Sequence, residues 1–162
     1  MRCVVLILTL FLSACVPENP QLRDLNLKTQ TLMFSKKQKI ALADTSFVAI
    51  LSYLNPILDA KSPEDIFILS FTPDDVKISK LQVFINEKEA RIKALDRQNE
   101  WTKYLITNAY TQHFEVALEG VEGEGELRVR VCSAEFACFE LNFQKYPKSL
   151  YYRSEGVDTQ YN

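Results

Sequence analysis

Histidine and tryptophan each occur once in the 162 residues, methionine twice and glycine only four times. A single histidine, His113, excludes a histidine-rich metal site, and neither Gly-x-Ser-x-Gly nor His-Glu-x-x-His occurs. Basic residues are not in excess: 19 Lys and Arg stand against 21 Asp and Glu. No clustered basic face emerges, so a nucleic-acid partner is not expected. Long apolar runs are absent as well. The longest, Cys3 to Leu12, has ten apolar or near-apolar residues, about half of what a membrane-spanning helix needs. Three of the four glycines, Gly120, Gly123 and Gly125, form one turn. That run, GVEGEG, opens like a phosphate loop, but Glu126 stands where the motif needs lysine and its glutamates would repel a phosphate. The acidic clusters Glu119/Glu122/Glu124/Glu126 and Asp74/Asp75 lack the Asp-x-Asp-x-Asp-Gly order of a calcium loop. The expectation is a chain without catalytic residues, metal or cofactor.

What is present begins at the amino terminus, MRCVVLILTLFLSAC. A basic Arg2, a short apolar core and small residues before a cut site mark a secretory signal. An ordinary secretory signal would need no cysteine there. Leu12-Ser13-Ala14-Cys15 resembles the lipobox of bacterial lipoproteins. The resemblance implies that residues 1–14 are a signal peptide, that Cys15 receives a diacylglyceryl thioether, and that its new amino group is acylated, for instance with palmitate. Two or three acyl chains give stable anchoring where one is marginal. Val16, rather than aspartate, follows Cys15, and by analogy with enteric bacteria this points to the outer membrane, with the domain facing the periplasm. Removing fourteen residues leaves 148, one domain's worth, with 18 basic and 21 acidic side chains and a charge of −3. Residues 15–26, with two prolines and little to bury, read as a lipidated start and a tether reaching up to ~36 Å.

From Leu27 to Arg153 the pattern is strands. Thr29–Phe34 reads as a short first strand. Phe47–Leu54 also fits a helical stripe, but its β-branched residues and Pro56 favour a buried strand. Ile66–Phe71 reads as a second buried strand. Leu81–Ile85 and Ala90–Leu95 flank a hairpin loop at residues 86–89, and Trp101–Thr107 with Gln112–Glu119 read as one long or broken strand. Leu127, Val129 and Val131 alternate with Glu126, Arg128 and Arg130, and Phe139, Leu141 and Phe143 alternate with Glu140, Asn142 and Gln144. Seven to nine short strands without a clear helix predict an all-β, antiparallel sandwich. Residues 154–162 read as a disordered tail.

Cys132 and Cys138 remain once the leader is cut and Cys15 is lipidated. Export would place them where thiols pair. If they oppose each other in an antiparallel hairpin, opposed residue numbers sum to 270. That register pairs Arg130 with Glu140, Val131 with Phe139, Val129 with Leu141 and Leu127 with Phe143, keeping the two faces separate. A redox pair is the rival, but the spacing is not Cys-x-x-Cys.

The strand spacing, the Tyr53-Leu54-Asn55-Pro56 strand exit and the hairpin from Val131 to Phe143 resemble the small immunoglobulin-like lipoproteins of Gram-negative bacteria. The Cys…Trp…Cys order of true immunoglobulin domains is absent, because Trp101 precedes both cysteines. The resemblance implies an immunoglobulin-like β-sandwich and no catalytic residues. The expected role is that of a membrane-anchored envelope lipoprotein acting as a non-enzymatic binding or assembly module with a protein partner. A surface-exposed adhesin or ligand-binding lipoprotein is the alternative. Candidate contact residues are the aromatics Trp101, Tyr146, Tyr151 and Tyr152.

Overall fold

A computed structural model describes residues 20–42, 45–58, 62–106, 108–120 and 125–146. The leader, Cys15, residues 16–19, Tyr151, Tyr152 and the segment 154–162 lie outside them, as does the middle of the glycine turn.

Among the described residues, nine strands form two antiparallel sheets. They are β1 (Ser35–Ala41), β2 (Ser46–Tyr53), β3 (Glu64–Thr72), β4 (Gln82–Ile85), β5 (Lys88–Glu89), β6 (Arg91–Leu95), β7 (Gln112–Glu119), β8 (Glu126–Cys132) and β9 (Phe139–Gln144). The first sheet runs β1-β2-β3-β7-β6 and the second β5-β4-β8-β9. Taken from β2 onward, this is the ABED and C′CFG order of the immunoglobulin sandwich, with β1 added outside strand A. The expected sandwich is therefore present.

Alternation explains the core. Phe47, Ala49, Leu51 and Tyr53 of β2 and Phe67, Leu69 and Phe71 of β3 meet Val83, Ile85, Leu127, Val129, Val131 and Phe143 from the other sheet. Ile66 and Ile68 face the opposite way and join Leu54, Ile57, Tyr104 and Leu105 in a second cluster. Strand β3 is thus buried on both faces, which is why its middle, Ile66–Leu69, is an unbroken apolar run. The second cluster is covered by a helix, α1 (Pro20–Met33), and by two 3₁₀ helices, Asn55–Ile57 and Glu100–Tyr104.

Helix α1 corrects two expectations, the tether up to residue 26 and the first strand at 29–34. Proline is tolerated at a helix's first position. Leu27, buried Thr31 and Phe34, three or four residues apart, turn toward the second cluster. The β-branched threonines that suggested a strand are satisfied inside the helix. Thr29 Oγ1 donates to the Leu25 carbonyl and Thr31 Oγ1 to the Leu27 carbonyl, both at 2.9 Å. The strand begins instead at Ser35.

Two further readings change. The hairpin at 86–89 is tighter than expected. Asn86 and Glu87, with φ of 47° and 69°, turn the chain, Lys88–Glu89 pair back on β4, and β6 joins the other sheet beside β7. Trp101 lies in a 3₁₀ helix and not in a strand. Asn99 Oδ1 accepts from the Trp101 N–H at 2.9 Å, and Thr102 Oγ1 accepts from the Asn99 N–H at 3.3 Å, a reciprocal cap that stops an extended run.

The C-terminal hairpin has the expected register, with Leu127 opposite Phe143 and Val131 opposite Phe139. Cys132 and Cys138 are disulfide-bonded, their Cα atoms 4.2 Å apart. For so short a loop the chain-entropy contribution is about 2.4 kcal/mol. The ion pair differs from expectation. Glu140 meets Arg128 on the diagonal at 3.6 Å, because the Arg130 guanidinium lies over the Phe84 ring, 4.9 Å from its centroid.

Candidate functional site

Strand β1 is one edge of the first sheet and β9 one edge of the second, as the described residues show them. Between them opens a groove of about 400 Å³, lined by Met33, Phe34, Lys36, Tyr53, Glu126 and Phe143 among others. Its chemistry is an apolar floor with a polar rim. The floor is formed by Phe34, Tyr53 and Phe143. At the rim, Lys36 Nζ sits 5.6 Å above the Phe143 ring, and Asn142 and Gln144 are exposed. Apolar lining with a few polar groups is the usual character of binding concavities.

Beneath the floor lies a buried polar cluster. Asp65, at the start of β3, is only 2% exposed. It accepts from Tyr53 Oη at 2.8 Å and from Lys145 Nζ at 2.7 Å. Burial and the hydrogen bond to Asp65 push the Tyr53 phenol far above its ordinary pKa, so it stays protonated and donates. Gly120 closes the cluster from behind. A Cβ there would stand 2.9 Å from the Pro63 carbonyl oxygen and 3.1 Å from Lys145 Nζ, so the close approach of these strands requires glycine. The arrangement holds one end of the sandwich shut and fixes the Tyr53 ring in the groove.

Edge strand β1 carries Lys36, Lys37 and Lys39, all exposed. Charged edges keep a sheet from pairing with copies of itself. An acidic extended segment would meet no such repulsion.

A second polar pair sits on the opposite face of the first sheet. His113, 8% exposed, shares a 2.8 Å hydrogen bond between Nδ1 and Ser70 Oγ. Its Nε2 has no hydrogen-bond partner among the described residues. Burial lowers its pKa from the ordinary value, so the folded protein holds the neutral ring. Below about pH 6.5 the unfolded chain takes up a proton that the folded one resists. Stability is therefore expected to fall as the pH drops from 6.5, by up to about 1.4 kcal/mol per pH unit from this residue alone. Urea melts at pH 7 and pH 5.5 check this. The His113→Gln variant should lose less between those two values, and an equal loss would assign the acid sensitivity to other groups.

Of the four candidate aromatics, the two that are described, Trp101 and Tyr146, lie apart. Trp101 is half-buried in the second cluster, its indole N–H donating to Glu115 Oε2 at 2.8 Å. Tyr146 is exposed just beyond β9, in the other sheet. Tyr151 and Tyr152 lie outside the described residues. Sequence reasoning missed Phe34, Lys36, Tyr53 and Phe143 as neighbours, since they come from three separated segments. The lysine-rich run at 36–39 was the one local signal. Among the described residues, no three His, Cys, Asp or Glu side chains lie close enough together to hold a metal ion. No known protein family, curated protein or solved structure matches the chain.

Proposed function

We propose that the chain is a lipid-anchored envelope protein that binds a partner without catalysis, taking an extended acidic segment of that partner into the groove beside β1. Cys15 would hold it to the outer membrane, the domain facing the periplasm. The observation that carries the binding reading is the groove itself, an apolar concavity bounded by two edge strands and a row of lysines. An extended segment there could add backbone hydrogen bonds to an edge while its apolar side chains fill the floor. The Leu12-Ser13-Ala14-Cys15 motif supports the anchor.

Each half has its own test. With labelled palmitate, the wild-type chain should take up label and Cys15→Ser should not. Label retained in Cys15→Ser would refute the anchor. For the groove, a photo-crosslinking side chain at Gln144 should give a discrete adduct in intact cells, and one at Lys93, on the far face, should not. The adduct should fall at least tenfold when Lys36, Lys37 and Lys39 are all changed to glutamate. An adduct indifferent to that reversal, or equal from Lys93, would sink the binding reading.

A further inference from the structure

Helix α1 is apolar on two faces, and the sandwich uses only one. Leu27, Thr31 and Phe34 turn inward. On the opposite side Leu22, Leu25, Leu32 and Met33 are 63%, 61%, 54% and 55% exposed. At about 100° per residue these four fall within an arc of roughly 100°, and the other residue in that arc is Thr29. Single exposed leucines need no explanation, but four large apolar side chains in one uncharged stripe do.

We infer that this stripe lies in the interfacial layer of a lipid bilayer, so that α1 rests on the membrane surface and orients the domain there. The inference goes beyond the anchor reading of Cys15 and rests on it for position. Four residues separate Cys15 from Pro20. Five Cα steps at up to about 3.6 Å put the start of the helix within about 18 Å of the lipidated residue. The stripe begins two residues later, so an acylated Cys15 keeps it beside the headgroups. An uncharged apolar stripe of this width is what an interfacial helix buries.

A second copy of the chain fits less well. Leu22, Leu25, Thr29 and Leu32 do follow heptad spacing, but the 14-residue helix holds only two heptads, with a threonine in the seam. Coiled coils are recognised over three or four. The bilayer also suits the geometry of the rest. Helix α1 covers the outer face of the five-stranded sheet, so that face would turn to the membrane. Met33 belongs both to the stripe and to the groove wall, which places the groove close to the surface and opening sideways along it.

The test uses the full mature, lipidated chain in vesicles of phosphatidylethanolamine and phosphatidylglycerol (3:1), with and without brominated acyl chains. Trp101 is the sole tryptophan and lies over the second cluster, so the wild type supplies the background. Brominated lipid should quench Leu25→Trp at least threefold more than the wild type. A second arm removes the anchor. The Cys15→Ser chain should float with these vesicles, and Leu22→Glu with Leu25→Glu should cut the floated fraction at least tenfold while leaving the melting temperature unchanged. Failure of palmitate labelling would remove the anchor but leave the flotation result standing. Quenching no greater than in wild type, flotation indifferent to the glutamates, or a dimer in sedimentation that the glutamates dissolve would each overturn the membrane contact.

Discussion

Replacing Lys145 by methionine is expected to cost about 3–5 kcal/mol of unfolding free energy, because it leaves a buried carboxylate without its cation. Asp65 and Lys145 are 3% and 10% exposed in their side chains, so water cannot take over the vacated place. Methionine fills much the same volume, so the loss reports charge and not a cavity. Domains of this size are stable by only about 5–15 kcal/mol, and a urea melt should show the shift plainly. The double variant Lys145→Met/Asp65→Asn separates the causes. Asparagine keeps an acceptor for the Tyr53 hydroxyl and carries no charge, so the pair of changes should be at least 2 kcal/mol less damaging than Lys145→Met alone. A loss under about 1 kcal/mol for the single change would mean that the pair is screened as surface pairs are.

Phe67→Ala is expected to cost a similar 3–5 kcal/mol by a different route. Phe67 is fully buried, stacks on Tyr53 at 4.7 Å between centroids and meets Phe143 edge-on at 5.2 Å. Its removal takes away one of the ring contacts through which the two sheets touch at this end, Tyr53–Phe143 being another. The change should also disturb the groove, since Tyr53 and Phe143 both lean on Phe67 and both line the floor. Chemical denaturation measures the first effect, and loss of the Gln144 adduct at a temperature where the variant is still folded measures the second. Phe67→Leu should recover much of the stability. A full-size loss in Phe67→Leu as well would point to ring contacts over buried volume.

The parts of the fold that were legible in the sequence are those with one unambiguous period. Leu127-x-Val129-x-Val131 and Phe139-x-Leu141-x-Phe143 alternate strictly, and the cysteines close the turn between them, so a single register satisfied every apolar pair and the disulfide. Helix α1 was illegible for the opposite reason. Its apolar residues lie on two faces, so no one stripe stands out, and Thr29, Thr31 and Phe34 resemble strand residues. Trp101 was misplaced because the cap formed by Asn99 and Thr102 depends on side-chain geometry that hydrophobicity does not carry. The groove and its polar floor could not be read from neighbours in the chain. Asp65 and Lys145 are 80 positions apart, and an acid at the head of the apolar run Ile66–Phe71 gave no sign of its partner.

Strand β9 lies at a sheet edge, where fraying usually starts, yet it is pinned at both ends. Beyond its first residue the Cys132–Cys138 bond closes the turn, and Ser79 and Ser133 both hydrogen-bond Glu135 within it. Beyond its last residue Lys145 is held by Asp65. One clasp answers to reductant and the other to the charge of a carboxylate, so no single mild insult frees both. The strand should exchange its inward amides as slowly as a central one, and cannot slide along β8 by a residue without breaking a clasp. An incoming chain that aligned itself there would meet a ruler already straightened, and only its own freedom would be lost on binding.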